Sequence, residues 1–230
     1  MLVKDWMSKD VITIDADDSM MDAINLLKQH NIRMLPVTHK GKLVGIVTDR
    51  DLRSASASNA TTLEIHELLY LTSRIKVREI MTENPMTVPV DYTVEETAEV
   101  LLDNKISGVP VLDHDGKIVG TITQTDVFKM MLSVTALTGK GHAQGLQFAF
   151  QLEDRSGTIK EIADIIRSFG GRLGSILSSY ENVPEGYRKV YIRAFGLDRE
   201  KLPEIMEEFK KVGTILYMVD HRLNTREIYI

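Results

Sequence analysis

The chain has 230 residues, 43% of them hydrophobic and 27% charged, which suits two compact domains and is too apolar for general disorder. No run nears the roughly 18 apolar residues of a membrane span, the N-terminal MLVKDWMSKDV lacks the apolar core of a signal peptide, and the absence of cysteine excludes disulfides, thiol nucleophiles and thiolate metal sites. A net charge of −5, with 14 Lys and Arg against 20 Asp and Glu in residues 1–135 and 14 against 13 in 136–230, leaves neither half with the basic excess of a phosphate-backbone binder.

These properties predict a cytoplasmic protein with neither a membrane nor nucleic acid as partner. Residues 3–52 and 77–127 then repeat one another. Val3, Met7, Thr13, Asp17, Leu27, Ile32, Pro36 and Val37 recur as Val77, Met81, Thr87, Asp91, Leu101, Ile106, Pro110 and Val111. One extra residue in the second turn then sets GKLVGIVTDRDL opposite GKIVGTITQTDV. Such order marks a duplicated supersecondary unit.

Each copy predicts helix, strand, turn, strand, helix. Ser19 with Asp22, and Thr93 with Glu96, have capping-box spacing. Met20, Ala23, Ile24 and Leu27, matched by Val94, Ala98 and Leu101, follow at helical period. Two β-branched strands come next, Leu35–Thr38 with Leu43–Thr48 and Val109–Leu112 with Ile118–Thr123. The turns between them hold Gly41 and Gly116, where glycine supplies positive φ. A unit of this size cannot cover both faces of its sheet, so two copies are expected to pack together.

The early Val-x-x-x-Met, the hydrophobic-Pro-Val and the closing Gly-x-x-Thr-x-x-Asp resemble the CBS domain. The closing motif stands as Gly45–Asp51 and Gly120–Asp126. Two tandem copies resemble a Bateman module covering about residues 1–133.

Thr48 and Thr123 fall where a strand gives way to a helix, a place where free N–H groups favour an anion. Asp51 and Asp126, one turn on, can accept from a ribose diol. The resemblance implies these roles: threonine toward phosphate, aspartate toward ribose, with Ile12, Thr13, Ile14 and Met86, Thr87, Val88 lining adenine slots. The first copy adds Arg33, Arg50 and Arg53, the second Ser107, Thr125 and Lys129. Arginine's planar fork suits phosphate, so the first site is expected to be the better phosphate binder. The competing interpretation of Thr-x-x-Asp is a plain helix cap.

Between the copies, SASASNATT is small and polar and predicts loop, while Leu68, Leu69, Leu71 and Ile75 suggest a short helix within a linker at 61–76. TALTGKGHAQG predicts a second linker at 134–145. A new domain is expected over 146–222. Leu146, Phe148, Phe150 and Leu152 alternate as a half-buried strand, and helices follow with Ile159, Ile162, Ala163 and Ile166, then Leu202, Ile205, Met206 and Phe209. Strand-like stretches lie at 173–179, 189–195 and 214–219. The order βαββαβ is the split βαβ arrangement.

That order and the turn Asp154-Arg155-Ser156-Gly157 resemble the ACT domain, which implies side-by-side pairing and makes Asp154 and Gly157 candidates for holding an amino acid. Residues 223–230 are left as a tail. The expected fold class is α/β (α+β): a CBS pair followed by a ferredoxin-like ACT domain, resembling the acetoin-utilisation type of CBS–ACT regulator. Both resemblances imply a homodimer.

No catalytic set is evident. His30, His39, His66, His114, His142 and His221 are scattered without metal-binding i,i+4 spacing, and there is no phosphate-binding Gly-x-x-x-x-Gly-Lys loop or Gly-x-Ser-x-Gly elbow. His39 and His114 sit in or beside turns and are read as solvated. The expectation is a non-enzymatic sensor of an adenine nucleotide such as AMP, ADP, ATP or S-adenosylmethionine, needing no cofactor or metal, with an amino acid as a second ligand and a protein target the residues do not name. The alternative is an assembly module with vestigial sites.

Overall fold

Each copy of the repeat is organised by its hairpin. In the computed structural model, which describes residues 1–59, 73–135 and 145–229, the first copy comprises α1 (Val3–Trp6), β1 (Ile14–Asp15), α2 (Met20–His30), β2 (Met34–His39), β3 (Lys42–Thr48) and α3 (Asp49–Asn59). Lys40 and Gly41 take φ of 51° and 77°, the left-handed pair that a two-residue turn between twisted strands requires. Ser19 caps α2 in a complete capping box with Asp22.

The second copy repeats the plan. It runs through a 3-10 turn at Val77–Glu79, β4 (Thr82–Glu83), β5 (Val88–Pro89), α4 (Val94–Asp103), β6 (Gly108–Leu112), β7 (Ile118–Thr123) and α5 (Gln124–Val134). Thr93 and Glu96 form the matching capping box. Both copies, as far as Phe128 within α5, lie in one compact unit, Met1–Phe128.

The copies exchange their leading segments. β4 of the second copy pairs with β3 of the first through Gly45↔Glu83 and Ile46↔Thr82, and Ser8 of the first bridges Thr121 on β7 of the second. Val3 N–H donates to the Tyr92 carbonyl and Val77 N–H to the Asp18 carbonyl; Val94 N–H meets Met1 O and Met20 N–H meets Ile75 O. Each contact has its mirror 74 or 75 residues along. A Cβ on Gly45 would overlap the Met81 sulfur, and one on Gly120 the Met7 sulfur. The repeated methionine and glycine are therefore partners across copies. Met20, Leu35, Val37, Val47 and Val77 build a fully buried core that draws on both copies.

The other unit, Lys129–Ile230, is organised around β8 (Leu146–Glu153), α6 (Thr158–Ser168), β9 (Arg172–Ser179), β10 (Tyr187–Phe195), α7 (Leu202–Val212), β11 (Thr214–Asp220) and β12 (Thr225–Ile228). Its sheet order is β12-β11-β8-β10-β9. The first four strands in chain order are antiparallel neighbours in the split βαβ manner. Phe148, Phe150 and Phe209 meet with ring centroids 5.0 to 6.1 Å apart, the two contacts to Phe209 edge-on, so α7 is keyed into the strand that opens the unit.

Two expectations are corrected. The stretch beginning at Ser54 continues α3 as far as Asn59 rather than forming loop; alanine favours helix, serine costs little there, and no Gly or Pro interrupts it. Residues 225–228, expected within a tail, form β12 against β11 through Tyr217↔Ile228 to Asp220↔Thr225. They supply backbone donors and acceptors to an otherwise open edge. The linker helix expected at 61–76 and the linker at 134–145 fall mostly on residues 60–72 and 136–144, outside the described residues.

Candidate functional site

Both Thr-x-x-Asp motifs close a strand and open a helix. Thr48 N–H and Oγ1–H donate to Asp51 Oδ2 at 2.8 and 2.7 Å, and Asp51 N–H returns a long contact to Thr48 Oγ1 at 3.4 Å. In the second copy Thr123 N–H and Oγ1–H reach Asp126 Oδ2 at 3.0 and 2.7 Å. The spacing of three brings the aspartate back over the threonine, as a helix start requires. Asp51 is half-buried and Asp126 buried.

The strand-to-helix junction also collects the loop before β2. Asp49 N–H donates to the Arg33 carbonyl at 3.1 Å, and Gln124 N–H to the Ser107 carbonyl at 3.0 Å. Arg33 and Arg50 are exposed, as are Ser107 and Thr125. Arg53 is tied to Asp49 at 2.7 Å within α3. Of the three arginines, Arg33 and Arg50 thus stand at the mouth of the first cap.

The slot segments lie beside the same hairpins. β1 runs parallel to β2 with Ile14 against Val37, and β5 parallel to β6 with Val88 against Val111. This direction brings residues 12 and 13 in from the end of β2 where Met34 pairs with Thr48. Ile14 and Val88 are buried, Ile12 and Thr87 half-buried, and Thr13 and Met86 exposed, so each segment offers one anchored and one accessible wall. The first copy thereby gathers Ile12–Ile14, Arg33, Thr48, Arg50 and Asp51, and the second Met86–Val88, Ser107, Thr123, Thr125 and Asp126.

Sequence reasoning missed Met34 and Gly108. A Cβ on Gly108 would press on Thr123 Cγ2, with Met34 Cε at 3.4 Å, so the rims of the two sites touch across the copies. No local spacing signals such a contact. An open hollow of about 490 Å³, lined by Lys42, Leu43, Asn84, Pro85, Leu112, Asp115 and Gly116, lies by the hairpin turns and includes none of the predicted site residues.

His39 keeps 40% of its side chain exposed, as expected beside a turn, but one ring nitrogen is enclosed. It ends β2, and its buried Nδ1 faces Asp15 Oδ1 at 3.8 Å and Asp17 Oδ2 at 3.7 Å without a hydrogen bond. Arg78 pairs with Asp17 and Lys76 Nζ donates to its carbonyl at 2.7 Å. These cations compensate the carboxylates and oppose a metal ion there.

In the other unit, Gly157 takes φ of 94° and starts α6. Asp154 Oδ1 lies 3.3 Å from Arg188 Nε, and its N–H donates to the Gly186 carbonyl at 2.8 Å. Arg155 grips both oxygens of Glu161 at 2.8 and 3.0 Å, which holds the Glu161 carboxyl below its usual range. The turn carrying Asp154 and Gly157 is thus bonded on both sides.

The CBS domain family matches residues 3–58 and 77–133. A CBS domain-containing protein of Dictyostelium discoideum is 36% identical over 134 residues, 58% of this chain and 92% of that protein. The L-aspartate semialdehyde sulfurtransferase of Methanocaldococcus jannaschii is 38% identical over 130 residues, 56% of this chain but 23% of the enzyme. A solved CBS domain pair in complex with 5′-methylthioadenosine and S-adenosyl-L-methionine is 36% identical and aligns over 57% of this chain and 99% of its own, with a TM-score of 0.49. The chain belongs to the CBS-domain family, with two tandem copies of the domain in its first 133 residues.

Proposed function

We propose that this protein is a non-catalytic regulator whose CBS pair binds an adenine nucleotide or an S-adenosylmethionine-like molecule. The observation that carries this reading is the duplicated Thr-x-x-Asp junction beside a parallel strand slot. In the first site Asp51 uses Oδ2 for its cap. Oδ1 is the oxygen a ribose diol would engage, while Arg33 and Arg50 would meet phosphate. Ligand that prefers one arrangement of domains or subunits shifts the population toward it.

The βαββαβ order and the Asp154–Gly157 turn support reading the C-terminal unit as an ACT domain of an acetoin-utilisation-type regulator. Asp154 and Gly157 would hold an amino acid there, in a cytoplasmic homodimer acting on a further protein. A second reading, an assembly module with vestigial sites, is favoured by the threonine and aspartate already satisfying one another as caps.

Calorimetric titration of nucleotide-stripped protein with AMP, ADP, ATP and S-adenosylmethionine separates the two. Saturable binding of one of them is expected, weakened at least tenfold by Asp51→Ala or Asp126→Ala. Arg50→Ala should weaken a phosphorylated ligand more than adenosine; equal losses would remove arginine from the site. No binding by folded, ligand-free protein would establish the assembly module instead.

A further inference from the structure

The sheet of the C-terminal unit packs α6 and α7 on the face of Phe148, Phe150, Val190 and Ile192. On the opposite face lies Arg193, paired in register with Gln147 of β8 and 3% exposed. Its Nη2 donates to Gln147 Oε1 at 2.8 Å, whereas the buried Nη1 meets no acceptor. Among the described residues no carboxylate pairs with it. Asp220, the nearby acid, faces the helix side and is taken by Arg199 at 2.6 and 2.9 Å.

The surroundings are arranged around that unmet charge. Gln147 Nε2 donates to the Tyr217 hydroxyl at 3.2 Å, so the Tyr217 proton remains to be given away. His221 Nε2 lies 3.3 Å from Gln147 Oε1. Burial, and then the charges of Arg193 and Arg226, hold the His221 pKa below its usual value, and burial lowers that of Arg193. The field is positive and desolvated. Its flanks are the rings of Tyr191 and Tyr217, with centroids 6.5 Å apart, and the buried Ala149.

A buried cation left with an unfilled donor is costly to fold, and one negative charge with an oxygen for Nη1 relieves it. We infer that Arg193, with Tyr217 and His221 beside it, forms a recognition site for the carboxylate of a small organic monoacid whose apolar body rests against Tyr191 and Tyr217. A monoanion balances the one buried guanidinium, Arg193, whereas a phosphate dianion brings a second charge among apolar walls. The site is separate from the Asp154 turn: Gln147 and Asp154 stand seven residues apart on and just beyond β8, roughly 23 Å at strand rise.

Titration of the full chain at constant ionic strength with benzoate and 4-methylpentanoate, and with the uncharged benzamide, tests this. Both acids should bind saturably and benzamide at least tenfold more weakly. Arg193→Met should abolish binding without lowering the melting temperature, and Asp154→Asn should leave it intact. The site is overturned if the acids bind no better than benzamide, or bind the Arg193→Met protein equally well. If that variant does not fold, the comparison of benzoate with benzamide on the unaltered chain decides alone.

Discussion

Asp220 shows how much one side chain can carry. Its two oxygens accept from Arg199, and Oδ1 also takes the N–H groups of Arg222 and Leu223 at 2.8 and 3.2 Å. The Arg199 guanidinium holds the Asp220 carboxyl below the usual carboxylate range, against the opposing effect of burial. A folded pKa below the unfolded value of about 3.9 means that the stabilisation is complete above that value and is lost as pH falls through the folded one. Asp220→Asn should therefore cost about 3 kcal/mol in urea unfolding at pH 7, since it removes a carboxylate partner from a partly buried arginine. The gap between variant and parent should close as acidification carries the pH through the lowered Asp220 value. None of this was legible in the sequence, because partners 21 residues apart in different elements leave no periodic trace. The caps at Ser19, Thr48, Thr93 and Thr123 were legible, since a helix start brings residues three apart together whatever surrounds it.

At the scale of elements, hairpins, capped helices and the βαββαβ order were readable from period and turn chemistry. The pairing of β4 with β3 was not. It joins residues 36 or more apart, and only the recurrence of a glycine and a methionine in both copies hinted at it. Gly45 accepts no Cβ because the Met81 side chain lies there and the Thr82 carbonyl is close by. Gly45→Ala should destabilise the protein by about 1–3 kcal/mol through overpacking, read as a lower denaturation midpoint. Met81→Ala added to it should cost less than the two single changes summed, since the second opens room for the first. The errors at α3 and β12 share a cause: short polar stretches have weak preferences, and neighbouring elements decide their state.

The first repeat is incomplete by itself. Its α1 and the cap of α2 take backbone partners from residues 75, 76, 92 and 93, and its sheet takes β4 as an edge. Residues 1–59 made alone should show little fixed structure by circular dichroism, while residues 1–135 should unfold cooperatively. The duplication was plain in the sequence; that the copies trade their first residues was not, since an in-register repeat looks the same whether each segment stays with its own copy or crosses to the other.

That exchange fixes an order of events during synthesis. Met1 to Ser8 leave the ribosome well before the residues they bond to, Tyr92, Thr93, Val94 and Thr121. They must wait for more than a hundred further residues before their last contact can close. Contacts this distant along the chain slow folding and prolong exposure of unpaired apolar segments. Val3, fully buried in the finished protein, is made long before Tyr92, whose carbonyl its N–H meets.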